Sequence, residues 1–235
     1  MLKKTIFICS QLAEEAYSEK LTYIPTSTLL VNTNTDCEVH VGILDEVLYV
    51  ASRGTSSLED AVHDMQIWRT KCKFLGGTSI HSGFLQQYVS IQCPLHEEIR
   101  KILDSHKVKS VVFTGHSLGG ALSTIASLDF KLKNPNKVVK CITFASPRVG
   151  CKEFARLFNK TMNVSHRIVY HRDPVTFAPL CLRFRHVKGC IHFKKDKRVV
   201  HSDSYFFPFG CMISQHFMEN YKKVIEEWNN EIIVY

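Results

Sequence analysis

Strand-like and helix-like segments alternate through the middle of this 235-residue chain. That alternation predicts an α/β protein, with a mostly parallel central sheet and helices on both faces. Two further observations agree. Val111-Val112-Phe113 is an apolar run of the kind found in strands buried on both faces. The chain is also 45% hydrophobic with only 11 glycines and 7 prolines, a composition that packs rather than one that stays disordered. The length suits a single domain over residues 1–235 with one sizeable core.

The elements can be taken in order. Residues 11–20 (QLAEEAYSEK) have the spacing of a short helix with Leu12, Ala16 and Tyr17 inward. Residues 37–55 (CEVHVGILDEVLYVASRGT) alternate, pause at Leu44-Asp45-Glu46 and alternate again: a strand, a tight connection and a second strand. Residues 57–65 return to helical spacing, with Leu58, Ala61, Val62 and Met65 on one face. Ser56 or Ser57 would cap that helix, and Glu59 and Asp60 suit its positive end. A longer helix should start near Ser82 or Gly83 and run through Phe84, Leu85 and Tyr88. Pro94 should interrupt or restart it before it continues through Ile99, Ile102 and Leu103. A strand at Val111 leads through glycines into a helix from Ala121 to Phe130. A strand over 138–144, a helix over 152–158 and a strand over 167–170 complete the alternation. The basic stretch 183–198 reads as a hairpin. A last helix over 216–228 should turn Phe217, Tyr221, Val224, Ile225 and Trp228 inward.

Composition excludes several classes of function. No apolar run reaches the roughly 18 residues of a membrane span. The N-terminal apolar core, Ile6 to Cys9, is shorter than the roughly 7–15 residues of a secretory leader. Nine cysteines show neither CxxC nor zinc spacing, so free buried thiols in a reducing, cytoplasmic setting are expected. No metal and no cofactor is expected. The net charge of +8 favours contact with something acidic. Much of it lies in 183-RFRHVKGCIHFKKDKR-198, with seven Lys or Arg and one acid. That segment lacks a nucleic-acid-binding motif, so no nucleic acid is expected. A solvated hairpin or peripheral contact with an anionic membrane surface are its two readings.

The chemistry centres on 111-VVFTGHSLGGALSTIASL-128. Gly115-His116-Ser117-Leu118-Gly119 fits G-x-S-x-G between a buried strand and a helix, the setting of a nucleophile elbow. Side chains two residues either side of the serine would clash with the neighbouring strand or helix. The amide of Leu118 then lies at a helix N-terminus, where it can face a developing oxyanion. A serine hydroxyl needs a base, and the base needs an orienting acid. On this architecture the chain order is Ser, then Asp or Glu, then His. Asp173 ends the strand RIVYH at the sheet edge where such groups collect; its alternative role is to cap a turn before Pro174. Order removes the histidines before Asp173. His186 and His192 lie in the basic stretch, which leaves His216 and His201.

The chain resembles the fungal-type (class 3) lipase family of α/β-hydrolases from about Ala13 to Tyr221. The blocks AEEAY, ASRGTSSLEDAVHDM, HSGF, VVFTGHSLGGALSTIASL, ITFASPRVG, RIVYHRDPV and FRHV carry the resemblance, in that order. It implies the α/β-hydrolase fold and a serine ester hydrolase, lipase or phospholipase A1-like, acting on acylglycerol or phospholipid. The resemblance makes Ser117, Asp173 and His216 the catalytic triad, with His201 as the alternative base. Thr55, after Arg53-Gly54, becomes the second oxyanion donor beside Leu118, with Arg53 holding its loop and Asp64 bracing it. Leu58, Ala61, Val62 and Met65 become the apolar face of a lid. His81 is read as structural or substrate-adjacent. Two other readings stay open: an acyltransferase or peptidase on the same scaffold, and a catalytically impaired relative that binds lipid or protein.

Overall fold

The computed structural model describes residues 2–55, 68–195, 199–201, 212–229 and 233–234. The expected helix over 57–65, and with it Leu58, Ala61, Val62, Asp64 and Met65, lies outside the described residues.

Helix α1 (Leu2–Glu15) opens the chain. It is followed by β1 (Thr28–Asn32), β2 (Cys37–Leu44) and β3 (Val47–Ser52). A two-stranded sheet, β4 (Arg69–Cys72) and β5 (Thr78–His81), leads into α2 (Ser82–Ser105). Then come β6 (Ser110–His116), α3 (Leu118–Lys133), β7 (Val139–Phe144), α4 (Lys152–Thr161) and β8 (Val164–Tyr170). The remainder is β9 (Cys190–Phe193), β10 (Val199–His201), α5 (Met218–Glu227) and β11 (Ile233–Val234). The main sheet has the order β1-β2-β3-β6-β7-β8-β9-β10-β11. Its centre, from β3 to β9, is parallel, and antiparallel pairs flank it at β1–β2–β3 and β9–β10.

Alternation along the strands divides the core. Leu48, Val50, Val111 and Phe113 face α2 and α3. Tyr49, Ala51 and Val112 face α1 and α5 on the other side. Strand β6 is buried over all seven residues, which suits the apolar run Val111-Val112-Phe113 at its centre. No helix among the described residues is long and apolar enough to cross a membrane.

The hairpin turn falls where the sequence places it. Asp45 and Glu46 both take positive φ, 50° and 59°, as a two-residue connection between twisted strands requires. Other expectations need correction. The first helix begins at Leu2, well before residue 11. Pro94 does not interrupt α2, which runs unbroken for 24 residues. A proline frees the carbonyl four residues earlier; here the Ser90 carbonyl accepts from the Asn32 amide at 3.1 Å. The basic hairpin is displaced toward the C-terminus: β9 and β10 form it, while 183–188 is irregular. In the last helix Phe217 is exposed, and Met218, Tyr221, Ile225 and Trp228 pack inward.

Candidate active site

Parallel pairing sets the site. Ser52 is level with Gly115, and Gly115 with Thr143. The C-terminal ends of β3, β6, β7 and β8 therefore deliver Arg53, Ser117, Ala145 and the loop to Asp173 to one edge of the sheet. Ligands bind at this edge in open α/β sheets.

Ser117 links β6 to α3 with φ 57° and ψ −125°, a conformation costly for a residue with a Cβ. Its amide is anchored on the Phe144 carbonyl at 2.9 Å, and its carbonyl accepts from Gly120 at 3.0 Å. Two glycines make the turn sterically possible. A Cβ on Gly115 would meet the Gly119 carbonyl at 2.5 Å, and one on Gly119 would meet the Ser52 carbonyl oxygen at 2.1 Å. Leu118 opens α3, so its N–H is among the helix donors without an intrahelical acceptor.

The Arg53–Thr55 loop lies against this elbow. A Cβ on Gly54 would sit 2.7 Å from the His116 carbonyl oxygen. The Arg53 guanidinium pairs with Asp36 at 2.6 Å and with Glu38, and Arg53 Nε reaches the Gly54 carbonyl at 3.4 Å. Gly54 thus lies against the elbow, in a loop whose Arg53 is held by Asp36 and Glu38.

Asp173 is fully buried and accepts from three donors. The Val175 amide bonds Oδ1 at 2.9 Å, which makes Asp173 the cap of the short 3-10 turn Pro174–Phe177. His216 Nδ1 lies 3.0 Å from Oδ1 and 2.9 Å from Oδ2. The Tyr221 hydroxyl donates to Oδ2 at 2.6 Å. Capping a turn and orienting an imidazole are therefore combined in one carboxylate. His216 ends the 3-10 turn Ile213–His216 just before α5. With Nδ1–H given to the carboxylate, the lone pair is on Nε2, which is buried and has no hydrogen-bond partner among the described residues.

His116, the residue before Ser117, packs against this histidine. His116 Nε2 lies 2.7 Å from the His216 carbonyl oxygen, and the two imidazole centroids are 4.5 Å apart. His201 lies elsewhere, in β10, two strands beyond β8. His81 is a helix cap, its Nδ1 accepting from the Phe84 amide at 3.4 Å. Three residues at the site were not singled out from the sequence: Tyr221, His116 and Tyr17, whose hydroxyl lies 3.0 Å from His116 Nδ1. Tyr221 had one signal, since a buried tyrosine needs a partner for its hydroxyl.

Comparison with known proteins adds the family and the fold. The family model described as lipase (class 3) matches residues 49–183. A lipase of Rhizomucor miehei is 32% identical over 169 residues, 69% of this chain and 45% of that protein. A lipase of Rhizopus niveus is 31% identical over 137 residues, 57% of this chain and 35% of that protein. A chloroplastic phospholipase A(1) of Arabidopsis thaliana is 37% identical over 110 residues, 44% of this chain and 25% of that protein. The chain thus matches less than half the length of these curated relatives. Among solved structures, lipase II from Rhizopus niveus superposes with a TM-score of 0.82 at 24% identity, covering 92% of each chain. The Rhizomucor miehei triacylglyceride lipase does so at 0.81 and 22%, covering 91% of this chain and 92% of the other. At these identities the structural likeness establishes the α/β-hydrolase fold.

Proposed function

The chain belongs to the class 3 lipase family, and from that premise we propose that it hydrolyses lipid carboxylic esters through an acyl-enzyme on Ser117. The observation that carries this reading is the His216 imidazole, bonded to Asp173 through Nδ1, with no hydrogen-bond partner for Nε2 among the described residues, packed on His116, the residue before the strained Ser117.

Ser117 Oγ attacks the ester carbonyl while His216 Nε2 takes its proton. Asp173 accepts from Nδ1–H and stabilises the imidazolium that forms. The backbone amides of Leu118 and Thr55 bind the oxyanion. Collapse expels the alcohol, which leaves with the proton from Nε2. Water then attacks the acyl-enzyme, with His216 again as base, and a carboxylic acid is released. His201 takes no part.

Acylglycerol or phospholipid is the proposed substrate class. Relatives are named as lipases, as secreted mono- and diacylglycerol lipases of Fusarium solani and Malassezia globosa, and as phospholipases A1. Docking on an anionic lipid surface would use the face where Trp68, Leu180 and Leu182 stand 69%, 73% and 87% exposed. Arg69 joins the two loops there by donating to the Arg183 carbonyl at 3.2 Å. Basic residues at such a surface contribute about 1 kcal/mol each. The eight free cysteines among the described residues, six of them buried, support a reducing compartment, in contrast to the relatives named as secreted.

The test is hydrolysis of p-nitrophenyl esters from acetate to palmitate, with and without anionic vesicles. Wild type should turn over, Ser117→Ala and His216→Ala should lose about 10⁴-fold or more in kcat, and His201→Ala should retain activity. A folded wild type no faster than Ser117→Ala on every ester ends the hydrolase reading and favours a lipid- or protein-binding relative. Products trapped by added alcohol in preference to water would indicate an acyltransferase.

A further inference from the structure

We infer that His116, the residue before the elbow serine, is a positioning residue that holds the base His216 by its main chain, and that Tyr17 orients His116 for that task. The inference rests on the proposed roles of Ser117, Asp173 and His216.

The protonation of His116 follows from its partners. A carbonyl oxygen only accepts, so the 2.7 Å contact with His216 requires His116 Nε2 to carry a proton and donate it. In a neutral imidazole Nδ1 then holds a lone pair, and the Tyr17 hydroxyl donates to it at 3.0 Å. Both groups are held in those forms. Burial, and then the neighbouring His216 imidazole, keep His116 neutral well below its ordinary titration range. Burial pushes the Tyr17 phenol up to about 12.

His216 is thereby fixed on three sides. Its Nδ1 is on Asp173, its carbonyl is on His116, and its ring faces the His116 ring at 41°. An imidazole that must swing neither toward nor away from Ser117 needs its backbone held as well as its ring. Asp173 constrains only the ring.

Tyr17 reaches a second part of the site. A Cβ on Gly54 would meet the Tyr17 hydroxyl at 2.2 Å. One side chain, from just beyond α1, therefore abuts both the loop before Thr55 and the histidine that holds the base. Oxyanion loop and base share a single reference point.

The experiment is steady-state hydrolysis of p-nitrophenyl butyrate by wild type, His116→Phe, His116→Gln and Tyr17→Phe, with the His116→Phe/Tyr17→Phe double variant. His116→Phe keeps a ring and removes the donor; kcat should fall about tenfold or more while KM holds, because misplacing a catalytic group costs rate rather than binding. Glutamine offers an amide N–H near the lost Nε2–H and should recover most of that loss. Tyr17→Phe removes one hydroxyl at a part-exposed site. It should fold, lower kcat less, and add nothing to His116→Phe, since the two act as one unit. Unchanged kcat in His116→Phe, equal losses in the phenylalanine and glutamine variants, or full additivity with Tyr17→Phe would each overturn the inference. Should His116→Phe not fold, the histidine ¹⁵N spectrum of wild type and Tyr17→Phe decides. Wild type should show His116 as the Nε2–H tautomer, and any other tautomer rejects the contact. A wild type that hydrolyses no ester overturns the function instead, and the ¹⁵N spectrum still reads the contact by itself.

Discussion

At the scale of single residues the site is organised around satisfied polar groups. Asp173 is fully buried and accepts from an amide, an imidazole and a phenol. A buried carboxylate costs too much to leave unpaired, so each donor contributes to stability as well as to orientation. Tyr221→Phe removes one donor without changing the ring. It should lower unfolding stability by about 1.5–3 kcal/mol, the usual loss for a hydrogen bond to a charged group. The same variant should reduce kcat, because the carboxylate gains freedom to turn away from His216 Nδ1. Urea denaturation and ester kinetics on one preparation check both. A variant with unaltered stability and rate would mean that the phenol does not bond Asp173. Ser117 could be singled out because a strand, a run of glycines and a helix must surround such a turn. Tyr17 and His116 could not, because their partners lie 99 and 100 residues away in sequence.

Among the elements, the strongly periodic segments were legible and their ends were not. Strand β6 and helix α3 stand where periodicity puts them, and the turn at Asp45-Glu46 is as short as expected. Helix α1 extends back to Leu2 because Ile6, Cys9 and Leu12 pack on the sheet with no exposure, a tertiary effect that local spacing around residue 11 does not reveal. Pro94 is tolerated for a reason carried by another element. Asn32, at the end of β1, supplies the hydrogen bond that the proline withdraws from Ser90. Asn32→Ala should therefore cost about 0.5–1.5 kcal/mol, read as a lower urea midpoint. In a Pro94→Ala background, where the helix can satisfy Ser90 itself, the cost should shrink. An identical cost in both backgrounds would show that the asparagine acts through something other than this carbonyl.

For the whole molecule, the two-sided core leaves several histidines buried or half-buried and neutral. Burial holds His116 and His186 well below their ordinary value, lowers His192 to about 4, and also lowers His40 and His166. The sign follows by linkage. The unfolded chain protonates these groups near pH 6.5, while the folded chain binds their protons only at lower pH. The unfolded state thus binds more protons in that window, and stability rises with pH through it. The melting temperature should be highest above about pH 7 and fall steadily as pH drops from about 6.5 toward 4.5, before most carboxylates titrate. Asp129 extends the loss to lower pH. Although burial opposes its ionisation, bonds from His96, Tyr88, Gln92 and Lys133 hold its carboxyl below the usual range, so its contribution is lost only as pH falls through that range. Thermal melts across pH 4–8 check this; a flat profile from 7.5 to 5 would mean the imidazoles are not buried in their neutral forms.

The sequence by itself determined the α/β class, the glycine-flanked strand-to-helix turn at Ser117 and the chain order of Ser117, Asp173 and His216. Each of these is written in local patterns: period-two and helical spacing, glycines around a tight turn, an aspartate closing a strand. The resemblance put His216 ahead of His201, but only the tertiary structure shows which of them meets Asp173. His201 and His216 both follow Asp173 in the chain, and no local pattern measures their distance from it. Sheet order carries His201 into β10, two strands beyond β8, whereas the turn before α5 brings His216 back over Asp173. The Tyr17–His116–His216 contacts were likewise decided in three dimensions, since they join the start, middle and end of the chain through packing that sequence spacing does not encode.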